Sequence, residues 1–117
     1  MDVRIYHNPR CSKSRQTLEL LRERGVEPEV IEYLKTPPSP AEIEHLLGLL
    51  GLEPRALMRK TEKPYKVRGL DAPDLSREAL VAAMSEEPIL IERPIVVAGE
   101  RAVLGRPPEQ VLDLLES

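Results

Sequence analysis

A β run, a turn, a cysteine and an amphipathic helix follow one another within the first 25 residues, and a second β run comes directly after. No other feature constrains the fold as much. Val3 to His7 carries β-formers at Val3, Ile5 and Tyr6 and is closed by the turn pair Asn8-Pro9. From Ser12 to Arg24 the pattern is helical, with Thr17, Leu18 and Leu21 on one stripe and Gly25 where a left-handed C-terminal residue belongs. Pro28 to Leu34 reads as a second strand. Two strands joined through one helix make a parallel, right-handed βαβ unit. Cys11 is therefore expected where the first strand ends and the first helix begins.

Downstream, Ser39-Pro40 with Glu42 is a capping-box start, and Ile43, Leu46, Leu47 and Leu50 fall at helical spacing. Gly51 ends that helix, a short one is expected from Pro54 to about Arg59, and Lys60 to Pro73 reads as mostly irregular. Ser76 caps a further helix through Glu86. Ile95 to Ala98, Gly99-Glu100 and Ala102 to Leu104 read as a hairpin, and Pro107-Pro108 opens a last helix with Val111, Leu114 and Leu115 inward. The order predicts an α/β sandwich of thioredoxin topology, with a four-stranded mixed sheet flanked by helices. A helical insertion at about residues 39–88 separates the βαβ and ββα halves. The 117 residues are expected to form one domain, 1–117, since smaller pieces could not bury an adequate core.

Composition narrows the function classes. At 41% hydrophobic and 32% charged residues the chain is ordinary globular material rather than a disordered one. No apolar run approaches the roughly 18 residues of a membrane-spanning helix. Met1 to Arg4 lacks the apolar core of a signal peptide, so a cytoplasmic location is expected. A net charge of −3 gives no global attraction to nucleic acid or anionic membrane, and three tyrosines without Phe or Trp leave few stacking platforms. Neither is expected as a partner; a monomer acting on small molecules is. No metal or organic cofactor site is visible.

The single cysteine excludes an internal disulfide and any zinc site needing several thiolates. Cys11 acts alone or with an outside thiol. A lone cysteine is usually a small buried hydrophobe, but one standing just before a helix has orphan N–H groups and the positive end of the helix dipole to favour its thiolate. Arg10, Lys13 and Arg15 add to the local positive field. The same donors suit a tetrahedral oxyanion. A phosphatase-type Cys-x5-Arg loop does not fit, because position 17 is Thr17.

His7-Asn8-Pro9-Arg10-Cys11-Ser12-Lys13-Ser14-Arg15 resembles the active-site loop of the glutaredoxin-linked, thioredoxin-fold arsenate reductase family. The resemblance continues through Arg55 to Lys60, Pro64-Tyr65, Pro88 to Val97 and Gly105 to Leu112, covering nearly the whole chain. The loop and the Gly105 to Leu112 segment look closest to a branch of widespread homologues rather than to specialised resistance enzymes.

That resemblance implies that Cys11 attacks arsenate, giving an arsenyl-cysteine, while Arg59, Arg93 and Arg106 bind the oxyanion. Arg15 joins them as a substrate-binding candidate. Guanidinium suits the task because it stays protonated and offers a planar fork of donors. His7 is implied to favour the thiolate or orient the loop, as an imidazolium near Cys11 or as a neutral ring packed under it. The Ser14 hydroxyl is expected to donate to the thiolate, or to cap the helix. A cis bond is implied at Arg93-Pro94, before the third strand. With no second cysteine, the reductant is an external thiol, and the family implies glutathione with glutaredoxin.

Two other readings stay open. One is another glutathione- or glutaredoxin-linked thiol oxidoreductase. The other is a Spx-like regulator that binds RNA polymerase; such proteins commonly carry Cys-x-x-Cys, where this chain has Ser14.

Overall fold

A computed structural model describes residues 2–115. The chain divides into two compact units, one made of the residues up to Thr36 together with those from Arg93 onward, the other spanning Pro37–Glu92. The fold is α/β, with a four-stranded mixed sheet of thioredoxin-like topology in the first unit.

In that unit β1 (Val3–His7) leads through α1 (Ser12–Glu23) to β2 (Glu29–Glu32), and β3 (Ile95–Ala98) turns back as β4 (Arg101–Leu104). The strand order is β2-β1-β3-β4. β1 pairs parallel with β2 and antiparallel with β3, in register Ile5 with Val30 and with Val96, and β3 pairs antiparallel with β4. All four residues of β3 are buried, which is why Ile95 to Ala98 reads as a continuous apolar run instead of an alternating one.

α1 buries Ser14, Thr17, Leu18 and Leu21, the stripe its spacing predicts. It ends in a Schellman turn: Gly25, at φ 79°, donates its N–H to the Arg22 carbonyl, and Val26 donates to Leu21. One core cluster joins Val3, Ile5, Val96 and Ala98 of the sheet to Leu18 and Leu21 of α1 and to Val111 and Leu114. The C-terminal segment is a 3-10 turn, Pro108–Val111, continued by one α turn, Leu112–Leu115, which we label α5. A longer helix was expected there.

The second unit holds α2 (Pro40–Leu50), a 3-10 turn (Pro54–Leu57), α3 (Lys63–Val67), α4 (Arg77–Glu86) and a second 3-10 turn (Pro88–Leu90). Ser39 and Ser76 cap α2 and α4 by accepting hydrogen bonds from the Glu42 and Ala79 amides, each at 3.1 Å. Arg77 of α4 forks onto Glu44 of α2, and the hydrogen bond holds that carboxyl below its usual range. An isolated bridge pairs Met58 with Ile91, flanked by hydrogen bonds from Arg59 N to Leu90 O and from Glu92 N to Leu57 O, both 2.7 Å. No helix of the described residues is long and apolar enough to cross a membrane.

Candidate active site around Cys11

Cys11 is the N-cap residue of α1, with φ −93° and ψ 123°. The turn that carries it there is built by two short bonds: Cys11 N donates to Asn8 O, and Arg10 N donates to the Asn8 side-chain oxygen, each at 3.0 Å. The first intrahelical bond runs from Arg15 N to Cys11 O. No side chain caps this helix start. Its first-turn amides are thus the orphan donors that an anion beside the sulfur would meet.

His7 and Ser14 meet in the interior next to this loop. His7 Nδ1 lies 2.7 Å from Ser14 Oγ, and the Asn8 amide donates to the same oxygen at 3.0 Å. The Asn8 amide occupies one lone pair of that hydroxyl, and the direction of its bond with His7 follows the imidazole tautomer. Burial lowers the His7 pKa, and Arg22 and Arg15 act in the same direction, against the opposing pull of Glu32. That direction favours the neutral ring packed under the loop over the imidazolium, the other of the two expectations for His7. Ser14 also departs from both roles expected of it. Its hydroxyl is engaged by His7 and Asn8 rather than by the sulfur, and the N-cap position belongs to Cys11. The cause is helical phase: three positions after the cap, Ser14 falls on the fully buried side of α1.

Arg106 spans from Cys11 to the Arg93 backbone before β3. Arg106 Nη1 stands 4.0 Å from Cys11 Sγ and donates to the Arg93 carbonyl at 3.1 Å. Nε and Nη1 of Arg93 are buried without a hydrogen-bond partner among the described residues. Buried guanidinium nitrogens with idle donors are costly unless a ligand completes them. The Arg93-Pro94 bond is cis, as the resemblance implies, and so is Arg106-Pro107, which was not anticipated.

Arg15 is exposed and donates from Nη1 to the Pro9 carbonyl at 2.9 Å, bracing the loop backbone. Arg59 belongs to the helical unit, where its side chain, 20% exposed, pairs with Glu62 at 3.4 Å. Cys11, the Arg106 guanidinium and the Arg93 backbone carbonyl are thus brought together, and His7 meets Ser14.

Two further residues shape the site and were not singled out for it from the sequence, namely Thr17 and Gly105. A side-chain carbon on Gly105 would sit 2.6 Å from Thr17 Oγ1 and 2.8 Å from Pro94 Cγ, so only glycine fits. The one available signal was a glycine directly before Arg106-Pro107-Pro108.

Comparison with known proteins agrees with this architecture. Residues 6–114 match the model of the ArsC family. The chain is 57% identical to Escherichia coli K12 YfgD, a protein described as uncharacterised, over 97% of this chain and 96% of that one. It is 48% identical to an arsenate reductase of Neisseria meningitidis serogroup A, over 94% and 95% of the two chains. The structure of an arsenate reductase from Vibrio cholerae superposes with a TM-score of 0.95 at 57% identity, covering 97% of each chain.

Proposed function

The chain belongs to the ArsC family, and we propose that it reduces arsenate to arsenite with Cys11 as the nucleophile. The observation that carries this reading is the Arg106 guanidinium 4.0 Å from the only sulfhydryl in the chain. A fixed cation and the uncapped amides of α1 converge on the sulfur, so an oxyanion held by them has its central atom within reach of attack.

The steps balance with two external electrons. Arg106 and Arg93 hold the arsenate, with Arg15 adding positive charge at the mouth of the loop. The Cys11 thiolate forms an S–As bond while an As–O bond breaks, and that oxygen leaves as water with protons from solvent. An external thiol, glutathione in this reading, then joins its sulfur to Cys11. As the S–S bond forms, two electrons pass to arsenic, the S–As bond breaks, and arsenite departs. Thiol exchange with glutaredoxin returns Cys11 to the thiolate. No bound cofactor enters, and the requirement for a reduced thiol pool fits a cytoplasmic location. His7 and Ser14 contribute by fixing the loop, not by moving a proton.

Arsenate turnover coupled through glutathione, glutaredoxin and glutathione reductase to NADPH consumption tests the proposal. Turnover by the wild type, abolished in Cys11→Ser and reduced in Arg93→Ala and Arg106→Ala, is the expected result. Disulfide exchange at Cys11 without arsenate turnover would instead select a different thiol oxidoreductase.

A further inference from the structure

The Arg106 guanidinium reaches Cys11 from the far end of the sequence and is anchored on the Arg93 carbonyl, but its reach also depends on where the backbone before it is held. The preceding residue sets that place. Gly105 is wedged between two walls, Thr17 of α1 and Pro94 before β3, with Thr17 Oγ1, Thr17 Cγ2 and Pro94 Cγ only 2.6, 3.0 and 2.8 Å from where a Cβ would stand. Its N–H donates to the Pro94 carbonyl at 2.9 Å.

Thr17 is itself fixed. Its hydroxyl donates to Lys13 O at 2.8 Å, one helical turn back, and lies 3.4 Å from Gly105 O. One proton cannot serve both carbonyls well, so the short bond to Lys13 takes it and locks the rotamer, while the contact with Gly105 is chiefly steric. Thr17 is fully buried and shares the rigid helix that starts at Cys11.

We propose that Thr17 and Gly105 form a steric latch that sets the place of Arg106 over the Cys11 sulfur, making Thr17 a positioning residue for the anion site. The sulfur and the stop for the arginine loop then ride on one helix. The backbone position from which Arg106 reaches the sulfur is thereby set by α1, while its guanidinium is held on the Arg93 carbonyl. The inference takes from the reductase reading only that an anion is held between Arg106 and Cys11.

The test compares the alkylation rate of Cys11 by iodoacetate, an anion, with that by neutral iodoacetamide. A cation held near the sulfur speeds the anionic reagent selectively, whereas a general change in stability or access moves both rates together. Arg106→Gln should lower the iodoacetate-to-iodoacetamide ratio by about fivefold, as expected for one charge near 4 Å in a water-exposed site. Gly105→Ala should lower it comparably, and adding Arg106→Gln to Gly105→Ala should lower it little further. Should Gly105→Ala fold poorly, Thr17→Ala, which removes the wall, should lower the ratio, and Thr17→Ser, which keeps Oγ1, should restore it. A wild-type ratio in both Gly105→Ala and Thr17→Ala overturns the latch, as does full additivity with Arg106→Gln. An unchanged ratio in Arg106→Gln itself also overturns it, since no field would be there to position. No arsenate is involved, so failure of arsenate turnover would count against the reductase reading alone.

Discussion

Ser14 Oγ sits 2.7 Å from His7 Nδ1 and 3.0 Å from the Asn8 amide, so one buried hydroxyl ties the end of β1 to the first turn of the cysteine helix. Removing it leaves a buried ring nitrogen and a buried N–H unpaired. Ser14→Ala is expected to cost roughly 1–3 kcal/mol of stability by urea unfolding, and to loosen the loop that presents Cys11.

The same contact fixes a pH dependence. Burial, the largest cause, holds the folded-state pKa of His7 below its ordinary value of 6.5, so the unfolded chain binds the proton more readily. The stability that His7 contributes is fully present above pH 6.5 and is lost as pH falls from there through the lower folded-state pKa. His7→Asn keeps a hydrogen-bonding group beside Ser14 and has nothing to titrate. Urea unfolding between pH 7.5 and 5 should show a steeper loss for wild type than for His7→Asn; parallel curves would contradict the assignment.

Arg93 is the counter-example to a stabilising charge, because two of its nitrogens are buried without partners. Arg93→Met, of similar length, should leave the thermal midpoint no lower than wild type. Phosphate or arsenate should raise the wild-type midpoint by binding the folded state, and should do so much less in Arg93→Met. In turnover, loss of its charge-assisted bonds should raise KM for arsenate by roughly 10- to 100-fold.

Much of the fold was legible because local signals agreed with the tertiary result. β1 and β3, and the starts of α2 and α4, lie where β-formers, an apolar run and serine caps put them. α3 was missed because its five residues are too few to show a helical period, although Pro64 in its first turn and the return bonds of Gly69 and Leu70 to Lys66 and Tyr65 mark its two ends. At the site, the place of Cys11 at the head of α1 was legible from the strand-turn-helix order, while the arginines were singled out by motif resemblance alone, and Arg59 is found in the helical unit beside Glu62. The pairing of Ser14 with His7 was not, because Cys-x-x-Ser fixes spacing but not which interior groups the hydroxyl meets. The contact of Thr17 with Gly105 joins positions 88 apart and leaves no local trace beyond a glycine.

Ser76 offers a check on the helical unit by itself. Its side chain accepts from the Ala79 amide, so Ser76→Ala should cost about 1 kcal/mol and leave Cys11 alkylation rates unchanged.

The central claim is that Cys11 passes electrons to arsenic and is left as a mixed disulfide with the external thiol. The most direct measurement is a single turnover with excess arsenate and glutathione, without glutaredoxin, following arsenite release and the intact mass of the protein. About one arsenite per protein molecule, with glutathione on Cys11 in matching amount and neither in Cys11→Ser, is the expected result. Arsenite below that amount, or a glutathione adduct that forms equally well without arsenate, would contradict it.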